Sequence, residues 1–406
     1  MAMKKSISNK EFTLLMALMM SIVAISIDAL LPALGVIGNE LGVSEPNRAQ
    51  LIISCIFGGM AIGQLIAGPM SDAMGRKPVL YVGLLIYLMG SVVCYVADGF
   101  GVLLGGRFIQ GLGVAAPYVT VVSVVRDKYS GRDMASVMSL IMMIFILVPA
   151  IAPSLGQAVM HMADWRGIFI LYIVYAITIG LWIMLRLDET LPPARRTKLQ
   201  WRAFAHGVRI VIGNRTTTLY MLCMGLCFGG FIGYLGASQQ IFQVQFKVGE
   251  AFALYFGGLA LVLGAASLLN AWIVARAGMR RICMCAMAVI VITSALFVGL
   301  HAVVATITLH MFVPYAAILF FAFGLMFGNL NAIAMEPMGE VAGMASAITG
   351  ATSSCISLAL GVLIGQLYDN TLIPIACGFL ILGTIAWLLM HAEKTWHNTQ
   401  AHGTAS

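Results

Sequence analysis

Two ionisable side chains, Asp28 and Arg107, stand deep inside long apolar stretches of this 406-residue chain. A charge at the centre of a membrane helix costs about 2.5–3.5 kcal/mol, so its presence there points to function. Counted at 1.5 Å per residue, Asp28 lies about 24 Å along a helix that starts near Phe12, and Arg107 about 9 Å into its own helix from the opposite side. Opposite charges at similar depth could meet. Burial and a neighbouring guanidinium pull a carboxylate's proton in opposite directions, so a change in either would load or release it. Arginine stays protonated and cannot be the carrier. Two other readings stay open: a fixed ion pair that only orients two helices, or an Arg107 that binds an anionic substrate.

The run Gly68-Pro69-Met70-Ser71-Asp72-Ala73-Met74-Gly75-Arg76-Lys77-Pro78 is the densest polar segment in the first half. Gly75 permits a very tight turn and Gly68 a close helix approach. Asp72 ends one helix where it can face the positive end of a neighbour. Further along, Pro149 and Pro153 each remove a helical hydrogen bond, and Gly156 lets a neighbour pack closely. Gln64, Gln110, Tyr118, Gln239, Gln240, Asn270, Asn329 and Asn331 are polar groups in or near apolar spans, to be weighed as substrate contacts against plain interhelical hydrogen bonding. Glu336 and Glu340 are expected in solvent.

The eight cysteines fall in apolar stretches and read as packing residues. The sequence has no metal-ligand spacing, no H-E-x-x-H and no P-loop, so neither a metal, an enzyme active site nor ATP is expected. The 27 Met residues would suit a permissive apolar pocket.

The elements that must position these groups follow from composition. Hydrophobic residues make up 61% and charged residues 10%, against roughly 25% charged in a soluble domain. A spanning helix needs about 20 apolar residues. Twelve windows qualify, at 12–36, 49–70, 79–97, 101–123, 135–159, 166–186, 217–241, 250–274, 282–301, 307–334, 342–366 and 373–391. The lysines ahead of Phe12 mimic a leader, but the apolar run is far too long for one. With the N-terminus placed inside, 19 of the 23 Lys and Arg residues fall on the inner side and three on the outer, with Arg107 inside a helix. That asymmetry predicts both termini in the cytoplasm, and it explains the net charge of +7 without nucleic acid.

The longest connection divides the chain into 1–187, a linker at 188–216, a second set at 217–391 and a tail at 392–406. Trp201, Phe204, Val208 and Val211 recur near helical period, with Arg202 and Arg209 between them, as an interfacial helix would. Gly75-Arg76-Lys77 and Gly278-Met279-Arg280-Arg281 follow the second span of each set, 203 residues apart. An all-α membrane protein of two pseudo-symmetric six-helix bundles is the expected fold.

The 68–77 segment resembles the major facilitator superfamily signature G-x-x-x-D-R-x-G-R-[RK], departing at Ala73. Arg107-Phe108-Ile109-Gln110-Gly111 looks like that family's R-x-x-Q-G motif. Pro149 to Gly156 resembles its antiporter motif, with Ala152 and Gln157 in place of two glycines. Ser26 to Leu34, with Glu189-Thr190-Leu191-Pro192-Pro193, is similar to the Bcr/CflA subgroup of drug:proton antiporters. The resemblance implies a twelve-helix secondary transporter of the bacterial inner membrane that exchanges small amphiphilic compounds for protons. It implies no cofactor other than the coupling proton, a monomer in the lipid bilayer, and Asp28 and Arg107 as the proton-coupling pair. It also implies an inner latch built from Gly68, Asp72, Gly75, Arg76, Lys77 and Asp127, and a seal at Pro149, Pro153 and Gly156. A transporter dedicated to one metabolite, such as a siderophore, is the alternative.

Overall fold

The computed structural model describes residues 7–196, 201–304 and 306–403. Helix dominates, at 89%, and no strand occurs among the described residues. The helices are α1 (Asn9–Asp28), α2 (Leu34–Glu40), α3 (Leu51–Met74), α4 (Arg76–Tyr95), α5 (Phe100–Lys128), α6 (Gly131–Met162) and α7 (Arg166–Arg186). They continue as α8 (Trp201–Gly213), α9 (Arg215–Gln239), α10 (Phe252–Ala277), α11 (Met279–Val303), α12 (Leu309–Met335), α13 (Ala342–Gln366) and α14 (Ile373–Gly403). Twelve segments among the described residues are long and apolar enough to cross a membrane, as composition predicts. This is a multi-pass membrane protein.

The chain forms two compact units, Met1–Gln200 with Phe252–Gly257, and Trp201–Ala251 with Gly258–Ser406. In the first unit, α5 packs along both α3 and α4, while α1 packs on α6. Small residues make this possible: a Cβ at Gly63 would press on Ala115 and the backbone of Leu112, and one at Gly90 on the backbone of Gln110. In the second unit α9 packs on α13, and α11 on both α12 and α14.

Three boundaries differ from expectation. The first span is not one helix: α1 stops at Asp28 and a 3-10 turn, Leu31–Ala33, precedes α2. Pro32 has no N–H to return to Asp28, so the ladder cannot continue. The linker helix α8 belongs with the second unit, where Val211 packs with Met221, Met338, Ala345 and Ile348. The tail is not separate from residue 392, because α14 runs on to Gly403. The side chains of Trp201, Arg202, Phe204 and Glu340 lie outside the described residues, as do Lys4 and Lys5.

Ion pairs strap the first span at both ends. Arg186 Nε donates to Glu11 Oε1 at 2.7 Å, and Arg166 Nη1 reaches Glu40 Oε1 at 2.5 Å. The eight cysteines are free thiols.

Candidate functional site

The buried polar cluster of the first unit is built around the end of α1. The N–H of Ala29 bonds to Ile25 and that of Leu30 to Ile27, so the carbonyl of Ser26 loses its helical donor. It accepts instead from Arg107 Nη2 at 2.8 Å and from the Tyr172 hydroxyl at 3.2 Å. Arg107 is fully buried. Its Nε donates to the Ile52 carbonyl at 3.1 Å and its Nη1 to Gln110 Oε1 at 2.7 Å. Gln110 Nε2 passes the network on to Ser91 Oγ at 2.7 Å, and Tyr87 OH meets Ser26 Oγ at 2.5 Å.

Every acceptor of Arg107 is therefore neutral. The direct Asp28–Arg107 contact expected from depth alone is not formed, because the broken helix offers a bare carbonyl two residues earlier and the guanidinium takes it. Asp28 is only 5% exposed and makes neither a hydrogen bond nor an ion pair among the described residues. A buried cation and a buried carboxylate thus sit around one helix end without touching. Bringing ions out of water costs several kcal/mol each unless they are paired.

Gly156 closes this corner. A Cβ there would overlap the carbonyl oxygen of Ala29, so α6 lies directly on the break in α1. Pro149 and Pro153 lie inside α6 just before it.

A second cluster sits at the α3–α4 turn. Gly75 has φ +106° and caps α3, a backbone that side-chain-bearing residues rarely adopt. Arg76, 3% exposed, donates Nε to Asp127 Oδ2 at 2.8 Å, and Nη1 to Asp72 Oδ1 at 2.5 Å and Ser71 Oγ at 3.1 Å. Lys77 Nζ reaches the Leu187 carbonyl at 2.5 Å. Gly68 is half-buried on α3.

Glu189, noted in the sequence only as part of a motif, fastens this turn. Its carboxylate accepts from the backbone N–H of Arg76 and of Lys77, both at 3.0 Å, and from Leu191 N at 2.9 Å. Helix N-termini leave such donors unpaired and favour a negative charge. Thr190 Oγ1 adds a bond to Asp127 at 3.0 Å. An acid just past a spanning helix, followed by Thr and Pro, is the one signal that could have marked it.

The expected substrate contacts fare unevenly. Gln110 is fully buried and Asn329 4% exposed. Both amides are consumed within a unit, Asn329 by Asn270 at 2.8 Å and the Leu325 carbonyl at 2.8 Å, so neither is an open wall. Gln239 bonds Gln243 at 3.0 Å, and Asn331 is exposed. Gln64, buried, and Tyr118, half-buried, make no hydrogen bond among the described residues. Glu336 pairs with Arg280 at 3.0 Å while remaining half exposed. Tyr87, Tyr172 and Ser91, which the spacing did not single out, complete the Arg107 network.

The model of the Major Facilitator Superfamily matches residues 16–362. The chain belongs to the major facilitator superfamily. The bicyclomycin resistance protein homolog of Haemophilus influenzae is 25% identical over 376 residues, covering 92% of this chain and 93% of that one. The multidrug resistance protein MdtL of Klebsiella pneumoniae is 32% identical over 219 residues, covering 54% and 55%. A crystal structure of a D-xylose-proton symporter superposes with a TM-score of 0.72 at 14% identity, over 93% of this chain and 96% of that one. The last likeness is one of fold. This chain is a transporter of the superfamily, related to drug-resistance proteins.

Proposed function

We propose that this transporter exports small amphiphilic compounds in exchange for protons, by alternating access, in a bacterial inner membrane with both termini in the cytoplasm. The observation that carries the proposal is the unpaired Asp28, 5% exposed at a helix break, beside a fully buried Arg107 whose acceptors are all neutral. Arg107 holds its charge in every state. It fixes the end of α1 through Ser26, so that Asp28 is the group left to take and give a proton. A movement that opens the Ser26 bond would turn the guanidinium toward the acid and expel the proton. The drug-resistance names of the relatives support an amphiphilic cargo, and 19 of 23 basic residues on one side support the orientation. The Asp72–Arg76–Asp127 cluster would serve as the inner latch.

The test is efflux from proteoliposomes with an imposed pH gradient, screened over neutral, cationic and anionic amphiphiles. Asp28→Asn should abolish gradient-driven export while the protein remains folded in the bilayer. Full coupled transport by that variant would refute the proton role.

A further inference from the structure

In the second unit, α10, α11 and α12 enclose an apolar groove of about 290 Å³. Ile273, Cys285, Val289 and Phe321 wall it, and Arg281 stands at one end. From Arg281 to Val289 it follows α11 for about 12 Å, at 1.5 Å per residue. Ile273, Val289 and Phe321 are each more than a third exposed, so the groove opens outward from these helices.

Arg281 decides what fits. Its neighbour Arg280 is engaged with Glu336 and Glu393. Arg281 is exposed and makes neither a hydrogen bond nor an ion pair among the described residues. It is the third residue of α11, which is the depth of a phospholipid headgroup for a spanning helix. Arg276, in the last turn of α10, is likewise exposed and unpaired among the described residues. A slot with almost no polar lining, ending in a free guanidinium, matches an amphiphile with an anionic head and a hydrocarbon tail. Guanidinium binds phosphate oxygens in a bidentate fashion, and basic pockets between spanning helices select anionic headgroups.

We propose that this groove is a binding site for an anionic phospholipid, with one acyl chain along Ile273, Cys285, Val289 and Phe321 and the phosphate on Arg281. The site is independent of the transport assignment and is read by binding alone.

Native mass spectrometry of the full chain in detergent tests it, with phosphatidylglycerol or phosphatidylethanolamine at equal concentration. Wild type should retain phosphatidylglycerol at least three-fold over phosphatidylethanolamine. Arg281→Gln should remove that preference, and Cys285→Trp should lower retention of both lipids. Arg126→Gln, which removes an exposed cation from the first unit, should change neither. Equal retention of the two lipids, or a preference that survives Arg281→Gln, would overturn the site. So would a preference lost equally with Arg126→Gln, or a dimer signal that vanishes with Cys285→Trp. In wild-type protein, phosphatidylglycerol should slow maleimide modification of Cys285 at least three-fold, read by peptide mapping. No slowing would overturn the proposal whatever the variants do.

Discussion

The turn that joins α3 to α4 and the turn that joins α10 to α11 are copies of one another, 203 residues apart, and only one of them is fully furnished. Gly75 and Gly278 both cap a helix with positive φ, +106° and +78°. Beyond that shared backbone the two part company. Around Gly75, all three guanidinium nitrogens of Arg76 find acceptors and Glu189 takes the first two N–H groups of α4. Around Gly278, Arg280 meets Glu336 at 3.0 Å and Glu393 at a longer 3.4 Å, while its Nε has no partner among the described residues. Glu393 lies 204 residues after Glu189, but it sits within α14, which does not stop there. It therefore binds side chains, Arg280 and Thr216, and one of its buried oxygens has no partner among the described residues. A repeat can thus keep its turn while losing the ion cluster, because the glycine answers to backbone geometry alone whereas the cluster needs several separate side chains.

The largest effect in this comparison should come from Arg76→Gln. It strands Asp127, 14% exposed, and Asp72 together, and breaking a buried pair of this kind costs about 3 kcal/mol. Melting temperature in detergent should fall, and turnover should drop more than substrate affinity; an unchanged turnover would remove the latch from the proposed mechanism. Next comes the pair Gly75→Ala and Gly278→Ala. Both strain a positive φ combined with an extended ψ, at about 1–3 kcal/mol, but only the first also drives a Cβ to 2.7 Å from Glu189 Oε2, while Gly278 has open space. Gly75→Ala should therefore melt lower, and equal melting would mean that the Glu189 contact adds nothing. The smallest effect belongs to Glu393→Gln, about 1 kcal/mol, since its contact with Arg280 is a long 3.4 Å, one oxygen has no partner among the described residues and the amide oxygen can keep Thr216. A large loss there would show the second cluster to be as tightly built as the first.

These particulars also mark how far the sequence could be read. Twelve spans and the Gly75 turn were legible because apolar length and glycine leave a local pattern, whereas the joining of Asp127 to Arg76, 51 residues apart, was implied only by the resemblance to the family signature. The partners of Arg107 were not legible. Ser26 and Ile52 contribute backbone carbonyls, which every residue carries, so only the packing of α5 against α1 and α3 selects them. Pro32 was visible as the end of the helix, yet the freeing of the Ser26 carbonyl, which comes from the N–H of Leu30 turning to Ile27, needs the whole helix end to be drawn. Gln110 could be read as a substrate contact or as an interhelical bond, because an amide in an apolar span looks the same whether it faces a void or a neighbouring arginine. Glu189 was hidden for a related reason: its ligands are the amide protons of a distant turn.

The missing side chain at residue 156 has a mechanical implication. Since α6 rests its bare backbone on the carbonyl of Ala29, a bend at Pro153, three residues away, cannot be absorbed by a flexible side chain between the two helices. The motion would be handed straight to the fractured tip of α1. The acid sits one position before the point of contact, so the joint and the proposed proton carrier would travel together, as a pawl does with its wheel.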